Sequence, residues 1–262
     1  MKTVKKILLY GYGNAGQRHY SHFTNLGCEV VVIDPGFFKE VPNTRYVSVD
    51  SMQGNYALTD FDAFVIATPP SAREMIPELM KLGKPLLCEK PLTYPDCMPT
   101  PAWWVEHTNK AKVWTHLQMP FMPTYQAFFR QMQDRTIASV TVTAWSDASQ
   151  WVGVRGKHQQ LIKAPYEYAH DLNLAYRLMG QKTHEIELHC SLRLDWPYQE
   201  IRRIAIIAED GEYVYEIDRQ ENVMAYRRMA ESFCKFIETG ERSPWSTSVD
   251  DWIHLTAILD EE

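Results

Sequence analysis

The 262-residue sequence lacks several features that would indicate particular classes of protein. No apolar run approaches the ~20 residues that a membrane-spanning helix requires. Basic residues are not in surplus, because 27 Lys and Arg face 33 Asp and Glu, giving a formal net charge of −6. Nucleic-acid binders usually carry the opposite balance. We therefore predict a protein with no membrane and no nucleic-acid partner.

The five cysteines include no C-x-x-C pair. Scattered cysteines favour a reduced, cytoplasmic chain over a disulfide framework, and no metal site is predicted because ligand spacing is missing. The apolar start resembles a secretory signal only briefly, since Gly11 follows Tyr10 at once, so we predict a first strand there.

Strand and helix signals alternate over residues 1–118, a pattern typical of a parallel sheet covered by helices. A helix after Ser71 contains Pro77, which is costly inside a helix and requires either a kink or a later start. The predicted strands of this first domain are Lys6–Tyr10, Glu29–Asp34, Arg45–Val49, Asp62–Thr68, Pro85–Cys88 and Lys112–Gln118.

Residues 119–262 show a different rhythm, in which strands are grouped and helices flank them. The pattern predicts a second, α+β domain with a mainly antiparallel open sheet. An open sheet has edges and a face to cover, so we predict a homo-oligomer, a dimer or larger. The predicted strands are Ile137–Trp145, His184–Leu194, Arg202–Ala208 and Tyr213–Ile217.

A glycine motif, GYGNAG, connects the first strand to the first helix. In that context it predicts a dinucleotide-binding Rossmann domain, a doubly wound parallel sheet with the pyrophosphate at the helix N-terminus. An acidic residue about twenty positions on would bind the ribose 2′-hydroxyl and repel a 2′-phosphate, which favours NAD over NADP. It could also be a turn residue. The predicted cofactor contacts are Gly11, Gly13, Asn14, Ala15, Gly16 and Asp34.

Four segments carry a resemblance to the Gfo/Idh/MocA family, named for glucose–fructose oxidoreductase and inositol 2-dehydrogenase. They are the first turn with its trailing histidine, the fourth strand, the fifth strand with a Glu-Lys-Pro motif, and a histidine ten residues before a glycine. The tail around Tyr226–Gly240 is similar too. The segments are Gly11–His19, Asp62–Pro70, Gly83–Leu92, and His170 with Gly180.

The resemblance implies a Rossmann domain followed by an α/β domain, and oxidation or reduction of a sugar-like carbinol or ketone with NAD(P). It places Lys90 between the nicotinamide ribose and the substrate, with His170 facing the substrate. Further cofactor contacts are assigned from the matched segments to Thr68, Pro69, Pro70, Arg73, Glu89 and Lys90.

The substrate side departs from the family pattern. Tyr166 stands where an aspartate is usual, Asn173 where a second acid is usual, and Arg73 where a histidine is common. His170 suits acid–base chemistry, and the alternative is a core or capping histidine. Tyr166, one turn earlier, could donate a proton or simply pack. Lys90, His170 and Tyr166 are the predicted catalytic residues.

Three functions remain open on this sequence. The first is an NAD(H)-dependent dehydrogenase or reductase of a polar, sugar-like substrate, including an anionic one, because a partly basic loop precedes the His170 helix. The second is a cofactor-binding sensor or regulatory subunit without catalysis. The third is a reductase of an imine-type substrate, for which a tyrosine acid would be suitable.

Overall fold

The computed structural model describes residues 4–34, 45–46, 57–93, 97–107, 112–147, 167–180 and 186–260. The chain divides into two compact units, residues 1–116 with 226–253 and residues 117–225 with 254–262. The chain first passes from the first unit to the second after residue 116, close to the boundary predicted after residue 118. Residues 226–253 differ from the prediction, because they pack with the first unit although we placed them in the second domain.

The first unit is built on six strands, which run β1 Lys6–Tyr10, β2 Glu29–Ile33, β3 Arg45–Tyr46, β4 Ala63–Ile66, β5 Leu86–Glu89 and β6 Val113–His116. Their order in the sheet is β3-β2-β1-β4-β5-β6, and all five pairings are parallel. This is the strand order of a doubly wound dinucleotide-binding sheet. The predicted fold class is confirmed.

Among the described residues, three helices connect these strands: α1 Asn14–Asn25, α2 Ile76–Lys81 and α3 Pro101–Glu106. The conflict at Pro77 is resolved by a late start, because α2 begins at Ile76 and Pro77 lies in its first turn. The N–H that proline lacks has no intrahelical partner there, so the residue costs little. The helix predicted to start after Ser71 is therefore shorter than expected.

The C-terminal segment adds aromatic side chains to the core of the first unit. Trp114 of β6 lies 5.4 Å and 5.2 Å, between ring centroids, from Phe233 and Phe236. The backbone N–H of Thr115 donates to the carbonyl of Thr247 at 2.9 Å, which covers part of the edge of β6. These contacts explain why residues 226–253 belong to this unit.

The second unit contains a four-stranded sheet in the order β10-β9-β7-β8. Its strands are β7 Ile137–Trp145, β8 Glu187–Arg193, β9 Ile201–Ala208 and β10 Gly211–Glu216. The β7–β9 and β9–β10 pairs are antiparallel, while β7 and β8 run parallel. The sheet is thus mixed, with antiparallel pairs in the majority as predicted.

In the described part of the second unit two helices lie between its first and last strands or precede them, and two more helices follow the last strand. They are α4 Pro123–Met132, α5 Ala169–Met179, α6 Arg219–Thr239 and α7 Val249–Asp260. Tyr125, Leu172 and Leu178 from α4 and α5 are at most 1% exposed, as are Val140 and Ile204 of the sheet. Among the described helices, none is long and apolar enough to cross a membrane.

We expect Gly16→Ala to lower the free energy of unfolding by about 1–3 kcal/mol, because an added methyl must displace packed neighbours. A Cβ at this position would lie 2.1 Å from the carbonyl oxygen of Gly11, which is backbone. Gly13→Ala is the matched control, since a Cβ there meets nothing within 4 Å. It should cost less than about 1 kcal/mol. Urea unfolding of both variants measures this, and equal losses would contradict the prediction.

Candidate active site

The glycine motif forms a turn that brings α1 directly over the end of β1. Gly11 has φ +89°, and a Cβ there would lie 2.9 Å from the carbonyl carbon and oxygen of Ala67. Gly16 lets α1 approach the Gly11 carbonyl. Gly13, by contrast, is exposed and faces open space. The first and third glycines therefore serve packing, and the second leaves room for a ligand against the backbone.

The N-terminus of α1 carries no side-chain cap and no acidic residue in its first turn. Asn14 is exposed and Ala15 partly exposed. The first N–H groups of a helix have no intrahelical acceptors and lie at the positive end of its dipole. This end is suited to bind an anion such as a pyrophosphate.

Asp34 follows the last residue of β2 and joins the same turn. Its Oδ2 accepts a hydrogen bond of 2.6 Å from the backbone N–H of Tyr12. The side chain is partly exposed. The carboxylate is thereby fixed beside the glycine turn, at the position from which a ribose hydroxyl could be bound.

The remaining predicted cofactor residues follow the two next strands of the sheet. Thr68, Pro69 and Pro70 come after β4, and Lys90 comes directly after β5. Because β2, β1, β4 and β5 are adjacent and parallel, these residues lie along the same carboxyl edge. The strand order reverses at β1, which is where open α/β sheets bind their ligands.

Two residues predicted to bind the cofactor have buried charged groups that contact other residues of this chain. Arg73, 1% exposed, donates from Nε and Nη2 to the Thr68 carbonyl at 3.0 and 2.8 Å. Its Nη1 donates to the Pro91 carbonyl. Oε1 of Glu89 lies 2.8 Å from Nε2 of His19. Both residues therefore support the turns that carry the exposed site residues.

His116, at the end of β6, completes a buried cluster with Glu89 and His19. Its Nδ1 also lies 2.8 Å from Glu89 Oε1, although the N–H direction departs from hydrogen-bond geometry. Burial raises the pKa of Glu89, but His116 and His19 outweigh it and hold that pKa well below its usual value. Burial lowers the pKa of His19. The cluster thus contains an ionised carboxylate and a neutral imidazole at neutral pH.

The three side chains of this cluster each offer one atom that could bind a metal ion, and these atoms lie within 4.8 Å of one another. The shared oxygen is at hydrogen-bond distance from both nitrogens. The Glu89–His19 contact is a hydrogen bond, whereas neither ring nitrogen of His116 has a hydrogen-bond partner among the described residues. The absence of a metal site stays a prediction.

His170, near the start of α5, lines a cavity of about 280 Å³ within the second unit. The charged wall of this cavity was missed from the sequence, because no motif marks it. Arg202 of β9 forms ion pairs with Asp171 and with Glu200, at 2.5 and 2.9 Å. Burial raises the pKa of Asp171 although Arg202 opposes it. The lining residues are Gln118, Met119, His170, Glu200, Arg202, Ile217 and Asn222.

Of the two residues that stand where the family carries acids, the structure describes one. Tyr166 lies outside the described residues. Asn173 is completely buried, and its Oδ1 accepts hydrogen bonds from the hydroxyl of Tyr125 and from Nε of Arg177, both at 2.9 Å. The amide at 173 therefore ties α5 to α4.

Comparison with known proteins gives short sequence matches and long structural ones. No family model matches the sequence. Erythronate-4-phosphate dehydrogenase of Marinomonas sp. (strain MWYL1) is 46% identical over 48 residues, 18% of this chain. Inositol 2-dehydrogenase of Rhodococcus erythropolis is 35% identical over 98 residues, 34% of this chain. The matches span 13% and 28% of the lengths of these two relatives.

Solved structures match almost the whole chain. A myo-inositol dehydrogenase from Corynebacterium glutamicum aligns with a TM-score of 0.74 at 15% identity, covering 98% of this chain and 95% of that one. The chain has the fold of the Gfo/Idh/MocA dehydrogenases. The WlbA dehydrogenase from Thermus thermophilus, solved with NAD and UDP-GlcNAcA, aligns at 0.70 and 18% identity, covering 98% and 94%. The predicted resemblance is confirmed for the fold.

We expect Glu89→Gln to destabilise the protein at neutral pH by about 1–3 kcal/mol, the usual range for a hydrogen bond to a charged group. The pKa of Glu89 is lower in the folded than in the unfolded chain. Its stabilising contribution is therefore complete above the unfolded pKa of about 4.3 and is lost as the pH falls through the folded value. Urea unfolding should show the gap between wild type and variant narrowing in acid.

The control is Glu78→Gln, which removes an exposed ion pair with Lys81. Such surface pairs contribute little, so its stability should follow that of the wild type at every pH. A gap for Glu89→Gln that stays constant from neutral pH into acid would contradict the assigned charge state.

Proposed function

We propose that this protein is an NAD(H)-dependent oxidoreductase that transfers a hydride to or from a sugar-like carbinol or ketone. The observation that carries the proposal is the uncapped N-terminus of α1 at the point where the strand order reverses, open above Gly13 and flanked by Asp34. A diphosphate suits this end, and the carboxylate suits a free ribose 2′-hydroxyl. The fold of NAD-containing dehydrogenases supports it.

The residues that would hold NAD are those exposed along the carboxyl edge of the sheet. The turn at Gly13, Asn14 and Ala15 would bind the pyrophosphate, Asp34 the adenosine ribose, and the Thr68–Pro70 segment the path toward the nicotinamide. Arg73 and Glu89 would act behind this surface, since their charged groups contact protein. NADP is disfavoured because Asp34 would repel its 2′-phosphate.

NAD supplies the hydride acceptor, and NADH the donor, when bound. The chain must then hold the substrate oxygen and move its proton. Lys90 is our candidate for both tasks, because its three-donor ammonium follows β5 at the carboxyl edge. His170 is a second acid–base candidate, as its ring lines the cavity of the second unit.

The cavity beside His170 favours a neutral, hydroxylated substrate. Its guanidinium, Arg202, is already paired with Asp171 and Glu200, so little charge remains for an anion. Nε2 of Gln118 donates to Oδ1 of Asn222 at 3.0 Å, which leaves Gln118 Oε1 as an acceptor and Asn222 Nδ2 as a donor for a hydroxyl group. A volume of about 280 Å³ lies near the lower end for small-molecule sites, which suits a single sugar-like ring. Binding of an anionic group would depend on the basic loop before residue 166, outside the described residues.

Two other functions stay open as alternatives. A sensor without catalysis is favoured by the absence of acids at 166 and 173. An imine reductase is favoured by Tyr166, whose phenol could donate a proton. The cytoplasmic location and the homo-oligomer also stay proposals from the sequence.

The direct test measures cofactor binding and turnover together. NADH and NADPH are titrated by fluorescence, and NADH oxidation and NAD reduction are followed against cyclitols, sugars, nucleotide-sugars and imines. Tight NADH binding with turnover of a polyol or sugar supports the proposal. Binding without any turnover favours the sensor, and turnover of imines alone favours the third function.

Asp34→Asn should relax the preference for NADH over NADPH while leaving the turn intact. The amide oxygen can still accept from the Tyr12 N–H, but the negative charge is gone. Asp34→Ala removes both and should weaken binding of both cofactors. The ratio of the two dissociation constants measures this. An unchanged ratio in both variants would mean that the carboxylate does not read the ribose.

Lys90→Ala should abolish turnover and leave NADH affinity nearly unchanged, because the amine acts on the substrate oxygen. Lys90→Arg keeps the charge but holds its proton far more tightly, so it should also be inactive. Lys81→Ala, an exposed lysine of the same unit, serves as the control. Steady-state kinetics measure the turnover of each variant, and fluorescence titration measures its affinity for NADH. A near-normal rate in Lys90→Ala would remove the residue from the mechanism.

A further inference from the structure

Arg73 is buried in a way that packing alone does not require. Its side chain is among the largest fully buried ones in the protein, at 1% exposure. Within the described part of the chain its hydrogen bonds all go to backbone carbonyls, of Thr68 and Pro91. A buried guanidinium without a carboxylate partner costs free energy. The three hydrogen bonds offset this cost, and they link two loops that follow different strands.

The two carbonyls belong to the two loops that matter most for the site. Thr68 follows β4, and its hydroxyl donates to the Ala72 carbonyl at 2.8 Å, which closes that loop. Its backbone nitrogen would lie 3.0 Å from a Cβ on Gly11, so the loop packs directly on the glycine turn. Pro91 follows Lys90. Arg73 therefore connects the glycine turn, through Thr68, to the residue after the proposed acid–base lysine.

Lys90 is held from its other side as well. Glu89, the residue before it, contacts His19 of α1 and His116 of β6. The backbone of Lys90 thus lies between a fixed carboxylate and a fixed carbonyl, while its own side chain is partly exposed. Removing the Arg73 contact leaves one of these two supports.

We propose that Arg73 is a positioning residue that holds the Lys90–Pro91 turn so that the Lys90 amine faces the bound cofactor. The inference rests on the proposed function, because it takes Lys90 as the acid–base group. The planar fork of arginine is needed, since two nitrogens hold the Thr68 carbonyl while the third reaches Pro91. A lysine has one nitrogen and cannot hold both carbonyls in the same geometry.

Two variants test the role. Arg73→Lys keeps the charge and loses the fork. Arg73→Met keeps much of the volume without burying a charge, so it should fold even if Arg73→Lys does not. The matched control is Arg227→Lys, at an exposed position of the same unit that pairs with Glu231.

The first readout needs no substrate. Lys90 is labelled with an amine-reactive reagent with and without saturating NADH, and peptide mass spectrometry follows its rate. In wild type and in Arg227→Lys, NADH should slow labelling of Lys90 severalfold. In Arg73→Lys and Arg73→Met the protection should be largely lost, while NADH affinity stays close to that of the wild type.

The second readout is turnover of a substrate found in the panel. Both Arg73 variants should lose about 10²-fold in kcat, the usual effect of a misplaced reacting group, with KM changed far less. Wild-type protection and kcat in either folded variant would overturn the role of Arg73. Protection that is absent in the wild type itself would overturn both this role and the placement of Lys90. Protection without turnover on any substrate would leave Arg73 in place and remove the proposed activity.

Discussion

The close approach of α1 to the turn at Gly11 is the constraint on which the rest of the first unit depends. No side chain fits between the Gly11 carbonyl and Gly16, and none fits between Gly11 and the Ala67–Thr68 segment. The helix therefore starts at the sheet, and its N-terminal amides lie at the carboxyl edge. An extra carbon at either contact would displace the helix end from the place where the strand order reverses.

A second level of organisation is a set of buried polar contacts behind that edge. Glu89 with His19 and His116, and Arg73 with two carbonyls, join α1, the loop after β4 and the loop after β5. Buried polar groups stabilise a unique arrangement only when they are matched with partners. Here the partners come from separate elements of the first unit, namely α1, β6 and the loops after β4 and β5. The exposed residues in front of them therefore keep fixed relative positions.

The sequence predicted the first unit well, because its signals are local. The alternation of strands and helices and the spacing from Gly11 to Asp34 depend on short segments, and the sheet follows from them. The helix at Ile76 was predicted too early, since Ser71 suggested a cap while Pro77 marked the true start. The return of residues 226–253 to this unit involves contacts such as Trp114 with Phe233, which no local pattern reveals.

In the candidate site, too, local sequence patterns predict some residues, and contacts between distant segments place the others. The exposed residues proposed to bind the cofactor are predicted from a motif, whereas Arg202 and His116 are not. Arg202 lies in a strand beside another arginine, and the sequence does not show which of the two lines the cavity. The ion pair with Asp171 in the structure shows that it is Arg202. His116 could have been suspected, because it ends a strand at the carboxyl edge. The buried contacts of Arg73 and Glu89 depend on loops meeting across the sheet, which sequence spacing does not encode.

The parallel pairing of β7 and β8 affects how the length of the chain between them can vary. Parallel neighbours need a crossover, and here it spans residues 146–186 and contains the helix that bears His170. Both ends are pinned by strand registration, from Ser139 opposite Glu187 to Trp145 opposite Arg193. Changes of chain length in this connection, away from the buried residues of α5, would leave the two strands in register. The length of the connection and the pairing of the strands can therefore vary independently.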